Sequence, residues 1–168
     1  LANHFLNAMC HEFTGNSRQY VVNLLFRAQT SFDLYHKARE QTLEYIVKSA
    51  PGSPAISLYY QVISEWESCF LNLQIFADVL IKLSGKPIFV SDDKSEQQRT
   101  YDIATTIKHW GTAIRDRGHQ ENDTLPMWLS NNGFQTRKHK LSFSELSQRV
   151  ADAADVANIL QNPKDFSG

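Results

Sequence analysis

From Ser17 to about Lys48 the chain runs without Gly or Pro, and Tyr20, Leu24, Ala28, Phe32, Tyr35 and Ala38 recur at steps of three and four residues. That spacing puts them on one face of a long amphipathic helix. Pro51-Gly52-Ser53-Pro54 breaks the pattern, with Ser53 as N-cap and Pro54 at the first helical position of a second helix. The second helix is expected to run to about Ser84 and to stop at Gly85-Lys86-Pro87. It is apolar on most sides, with a thin polar stripe through Ser57, Gln61, Ser64, Ser68 and Asn72, which predicts the central, most buried helix.

After the apolar patch Ile88 to Val90, Ser91-Asp92-Asp93 opens a polar turn, and Ser95 with Gln98 forms a capping box for helix three. Ile103, Ile107, Trp110 and Ile114 supply its core stripe, and Gly118 ends it. Leu125-Pro126-Met127-Trp128-Leu129, followed by Asn131-Asn132-Gly133-Phe134, predicts a short extended arm with a tight turn, a small hairpin running to Lys140. Helix four has the clearest start: Ser142 is the N-cap, Glu145 follows three residues on, and Leu141 is placed to staple against Leu146. Phe143, Leu146, Val150, Ala153, Ala157 and Leu160 form its buried face.

These elements predict an all-α fold: an antiparallel four-helix up-and-down bundle with two long helices and a short hairpin-like excursion between helices three and four. One domain is expected over 1–168. The long helices would overhang helix three, and an uncovered overhang is a natural dimer surface. Tyr59, Tyr60, Trp66, Phe70 and Phe76 are either core or part of that surface.

Composition narrows the function classes. The 168 residues are 42% hydrophobic with a net charge of -1, so nothing pulls the whole chain toward nucleic acid or anionic lipid, and any RNA contact must be a local patch. No apolar run is long enough to span a membrane and Leu1 to Cys10 lacks the basic start of a secretory signal, which predicts a cytoplasmic protein without a membrane partner. A start at Leu1 rather than Met is expected of a trimmed chain or a fragment. Cys10 and Cys69 fit no metal or redox spacing and read as free thiols, with a single disulfide as the alternative.

Chemistry-bearing residues crowd into one stretch, YDIATTIKHWGTAIRDRGHQENDTLPMWLSNNGF, from Tyr101 to Phe134. At 100° per residue His109 lies about 120° around helix three from the apolar stripe, on the boundary of the buried face, in line with Asp102 and Asp116. A boundary histidine beside carboxylates suits acid or base work as well as a helix–helix hydrogen bond. Arg115, Arg117 and His119 fall where helix three ends, where they complement the helix dipole or form a phosphate clamp. On a straight helix Arg115 points about 120° away from His109, so a bend at Gly111 or unwinding near Gly118 is required to unite them. Trp110 and Trp128, with nearby tyrosines, could line a small-ligand pocket. Arg137-Lys138-His139-Lys140 reads as a solvated loop tip or a nucleic-acid contact. Asp33-x-x-His36 is half of a di-iron pair without its partner, and the spacing of His4, Cys10 and His11 matches no metal set, so neither metal nor cofactor is expected.

The helix order from about Ser17 to Gln161, with a polar motif late in helix three ending in histidine, resembles the HEPN superfamily, the higher eukaryotes and prokaryotes nucleotide-binding domains. Active members resemble metal-independent endoribonucleases that work as dimers, with an Arg, a polar residue and then a His after four to six intervening positions. Here Ile103, Ala104 and Thr105 supply no arginine upstream of His109, and only three residues separate Arg115 from His119. The resemblance therefore implies a degenerate, non-catalytic interaction module. It would self-associate as a homodimer and bind a protein partner, in the manner of toxin–antitoxin or defence proteins. The alternative it implies is a metal-independent endoribonuclease. In that version His109 or His119 deprotonates a ribose 2′-hydroxyl, Arg115 stabilises charge on phosphorus, and Arg117, Trp110 and Trp128 hold the RNA.

Overall fold

The computed structural model describes residues 13, 15–49, 55–116 and 124–161. Among them are helices α1 (Gly15–Lys48), α2 (Ile56–Ser84), α3 (Glu96–Lys108), the short α4 (Trp110–Arg115) and α5 (Phe143–Gln161). Between α4 and α5 lie three strands, β1 (Trp128–Ser130), β2 (Gly133–Gln135) and β3 (Lys140–Ser142), paired antiparallel in that order. The chain is therefore mostly helical with a small sheet. A three-stranded meander replaces the expected hairpin, because the segment after the second turn pairs as well before it enters α5.

Cross-helix bonds give the directions. Arg27 Nη1 donates to Asn72 Oδ1 and Lys37 Nζ to Glu65 Oε1, so α1 and α2 run antiparallel. Gln74 Nε2 donates to Thr105 Oγ1 and the Tyr101 hydroxyl to Asp78 Oδ1, which reverses direction again from α2 to α3. Arg99 meets Glu145 and Glu96 meets Arg149, so α5 returns antiparallel to α3 while also packing on α1.

As predicted, α2 is the most buried helix, carrying Val62, Ile63, Trp66, Cys69, Phe70, Leu73 and Phe76 inside. The buried seam of α1 differs from the predicted stripe. It passes through Val21, Leu24, Leu25, Ala28, Ser31, Ala38 and Thr42, while Phe32 is 43% exposed and Tyr20 half-buried. Trp66 explains one of the two small polar positions of the seam, Thr42. Its indole N–H donates to Thr42 Oγ1 at 2.9 Å, and Thr42 in turn donates to the Ala38 carbonyl. The neighbouring Cys69 thiol points to the Ser31 carbonyl, and burial pushes its pKa up to about 12, which makes it an inert core thiol.

Phe134 of β2 inserts among the helices, its ring 4.8 Å from Trp66, 5.1 Å from Phe70 and 4.9 Å from Phe143. Paired residues of adjacent strands share a side of a sheet, so Leu129, Phe134 and Leu141 form the inward ladder while Trp128, Gln135 and Lys140 form the outward one. Gly133 is required by proximity: a Cβ there would lie 2.1 Å from the Leu141 carbonyl oxygen. It therefore belongs to the strand pairing, not to the tight turn suggested by Asn132-Gly133.

Helix ends follow the sequence with exceptions. Gly85, at φ 67°, closes α2 in the left-handed conformation. The expected start at Ser53-Pro54 lies outside the described residues. The helix begins at Ile56, with Ala55 as a cap that makes no side-chain hydrogen bond. Ser142 and Glu145 form the reciprocal capping box, each backbone N–H donating to the other's side chain. At α3 the Gln98 N–H does donate to Ser95 Oγ, but Gln98 Oε1 accepts from Lys94 N because Asp93 Oδ1 already takes the Ser95 N–H.

Candidate functional site at the His109 break

Helix three does not run straight to Gly118. It breaks at His109, whose φ of -98° and ψ of 6° lie in the bridge region, and α4 follows. The N–H of His109 still donates to the Thr105 carbonyl and that of Ala113 to the His109 carbonyl, so the break is a bend and not a loop. Thr106, one turn before the break, bonds back to the Asp102 carbonyl at 2.9 Å. Part of the expected apolar stripe is lost as a result: Ile103 is buried, Ile107 and Trp110 are half-buried, and Ile114 is 48% exposed.

The bend opens a cleft of about 230 Å³ against the arm and the β2–β3 turn. His109, Trp110 and Ala113 form one wall, Leu125, Pro126 and Trp128 a second, and Thr136, Arg137 and Lys138 a third. Thr136 shapes that last wall. It is buried, and its hydroxyl accepts hydrogen bonds from the N–H groups of Lys138 and His139, curling the turn so that Arg137 and Lys138 stand exposed at the rim. Behind the turn His139 Nδ1 sits 3.8 Å from Asp102 Oδ2, so the carboxylate expected beside His109 faces His139 instead. The arm is fixed from the core side by Tyr59, whose hydroxyl accepts from the Leu129 N–H and whose pKa is raised by burial.

Of the residues singled out in the sequence, His109, Trp110 and Trp128 come together in this cleft. His109 itself is exposed, not at the edge of the core, because the chain turns there. Arg115 is not on the cleft's walls; its guanidinium holds the adjacent Asp116, with Nε 2.9 Å from Oδ1. The bend falls at His109 and not at Gly111, and it does not bring the two together. Arg117 and His119 lie outside the described residues, as do His4, Cys10 and His11.

The other chemical candidates resolve simply. His36 packs against Phe32 and Tyr35, Asp33 accepts a bond from Gln29, and Glu65 is taken by Lys37. Among the described residues no group of three or more His, Cys, Asp or Glu side chains could hold a metal ion, and no helix is long and apolar enough to cross a membrane.

Arg137 and Lys138 had a signal in the basic run 137–140, but pattern alone could not say that this turn faces the two tryptophans. Thr106 and Thr136, which shape two of the walls, carried no signal at all.

Chemically the cleft offers flat π-surfaces, one imidazole and two cations on a single rim. Its volume is below the ~300–1,000 Å³ of pockets for drug-sized ligands, which leaves room for one ring system with its charged group outside. Comparison with protein-family models, with curated proteins and with solved structures gives no match.

Proposed function

We propose that this chain is a non-catalytic helical interaction module that grips its ligand in the cleft at His109, and that the ligand is a nucleotide unit of single-stranded RNA. The observation that carries this reading is the meeting of Trp110 and Trp128 with Arg137 and Lys138 around one small cavity. A base stacks on an indole with little regard to its identity, while arginine and lysine hold the flanking phosphate. The non-catalytic part of the reading rests on Arg115, the arginine assigned to charge stabilisation, whose guanidinium is engaged by Asp116 and does not line the His109 cleft. We read the alternating directions of α1, α2, α3 and α5 as an antiparallel four-helix up-and-down bundle, the arrangement on which the HEPN-like reading rests.

The test is tryptophan fluorescence titration with short oligouridylate and oligoadenylate in EDTA, followed by electrophoresis of the RNA. Quenching, weakened about 5- to 150-fold by Trp128→Ala, with intact RNA, is the expected result. Cleavage that disappears in His109→Ala would move the protein to the endoribonuclease alternative, and no quenching would sink the cleft reading.

A second observation supports the self-associating part. At the end of the α1–α2 pair Leu43, Ile46, Val47, Ile56 and Tyr60 are all more than half exposed, Val47 at 85%. A homodimer joined there predicts that Ile46→Glu with Val47→Glu halves the mass seen by light scattering while leaving RNA binding in place. An unchanged dimeric mass would exclude that face, and a monomeric parent chain would exclude the dimer.

A further inference from the structure

A second cavity, of about 200 Å³, lies on the opposite side of α3 from the sheet-side core, where α2, α3 and α5 converge. Its walls are mainly Leu73, Phe76, Leu80, Ile88, Ala153 and Val156. The space exists for a structural reason. The α3–α5 seam is held by polar clamps, Arg99 to Glu145 and Arg149 to Glu96, and small Ala77, Thr100 and Ala153 stand where larger side chains would fill it.

The guanidinium on this wall already has two carboxylate partners, although its Nε–H is buried without a hydrogen-bond acceptor. The guanidinium of Arg149 lies 3.2 Å from Glu96 and 3.0 Å from Asp152, the Tyr101 hydroxyl donates to Asp78, and the Gln74 amide donates to Thr105. An anion drawn to the unpartnered Nε–H of Arg149 would lose its hydration and meet Glu96 and Asp152 beside that same guanidinium, whereas an uncharged apolar ligand loses only unfavourable contact with water. An apolar protein cavity of about 150 Å³ stays dry and takes up benzene. A cavity of about 200 Å³ therefore suits a molecule of about eight to ten heavy atoms. We infer that the α2–α3–α5 cavity is a binding site for an uncharged, apolar, ring-bearing small molecule, independent of the RNA cleft.

The probe is indole, with benzoate as the charged control, added to the whole chain. Intermolecular NOEs are expected from indole protons to the methyl groups of Leu73, Ala153 and Val156. A rise in Tm of about 3–6 °C is expected at a tenfold excess over the dissociation constant, with benzoate producing neither effect. Val156→Phe, which fills the cavity from a half-buried position, should abolish both. An absence of NOEs to these methyls in the wild-type protein, equal binding of benzoate, or unchanged indole binding by folded Val156→Phe would each overturn the assignment. The NOE measurement uses the unaltered chain, so it decides the matter even where Val156→Phe does not fold.

Discussion

On its inner side the β-meander delivers Phe134 and Leu141 to the core, each no more than 2% exposed, and the rings of Trp66, Phe70 and Phe143 close around Phe134. On its outer side, strand β1 and the β2–β3 turn present Trp128, Arg137 and Lys138 to the cleft at His109, half-buried or exposed. The meander and its turn thus serve two purposes, and in β1 the period-two alternation of a strand sends Leu129 inward and Trp128 outward. Stability and ligand contact are therefore separable here: substitutions on the inward ladder should unfold the protein, and substitutions on the outer rim should leave it folded and change only what it binds.

The largest effect should come from Phe134→Ala. Removing a fully buried ring costs about 3–5 kcal/mol, and the sheet would lose the anchor that holds it on the helices, so chemical denaturation should show a sharply lower midpoint and the cleft should be lost with it. Next is Gly133→Ala. Its Cβ would collide with the Leu141 carbonyl, and overpacking of this kind costs about 1–3 kcal/mol. Strands β2 and β3 would have to part at the Gly133–Ser142 pair, visible as faster amide exchange along β3.

The joint between the two sides is Glu145. Arg99 donates to both its oxygens and the Ser142 N–H to one of them, and these bonds hold its carboxyl down to about 2 from an ordinary 4.5. A carboxyl lowered on folding contributes stability that is complete above its unfolded value and is lost as pH falls from about 4.5 toward 2. Glu145→Gln should therefore be about 1–2 kcal/mol less stable at pH 7, after allowance for solvent screening. The difference should shrink through that window until both chains melt together near pH 2. A constant gap down to pH 2 would mean that the pair stabilises through packing instead of charge.

Much of this architecture was legible in the sequence because it rests on local signals. The Ser142–Glu145 box and the Gly85 stop are each encoded within four or five residues, and the apolar face of α5 in steps of three and four. What was not legible depends on tertiary partners. Phe32 has the spacing of a core residue, yet the seam passes through Ser31, beside Cys69, and leaves its neighbour at the surface. The bend falls at His109 and not at the glycine two residues later, and without that bend the cleft cannot be inferred. Lys140-Leu141-Ser142 is too short to announce a strand, and only pairing with β2 makes it one. Trp110 and Trp128 stood out in the sequence as candidate walls of a pocket, but Arg137 and Lys138 joined them only through the turn that Thr136 curls.

The smallest effect on stability, and the sharpest test of the separation, belongs to Arg137→Ala combined with Lys138→Ala. Both side chains are exposed at the rim, so unfolding should move by no more than about 0.5 kcal/mol. Binding should respond quite differently. Each phosphate contact to a single strand releases counterions and adds about 0.7 to the slope of log affinity against log salt. Deleting two contacts should therefore flatten that slope by about 1.4, lowering affinity at about 50 mM salt much more than at about 200 mM. Base stacking on the tryptophans carries almost no salt dependence, so Trp128→Ala should weaken binding by a similar factor at every salt concentration. Two variants on one rim, one changing the slope and the other only the intercept, would show that cations and indoles act on different parts of one ligand. Parallel lines for both would mean that the basic turn never touches a phosphate, and the cleft would then be a pocket for an uncharged ring alone.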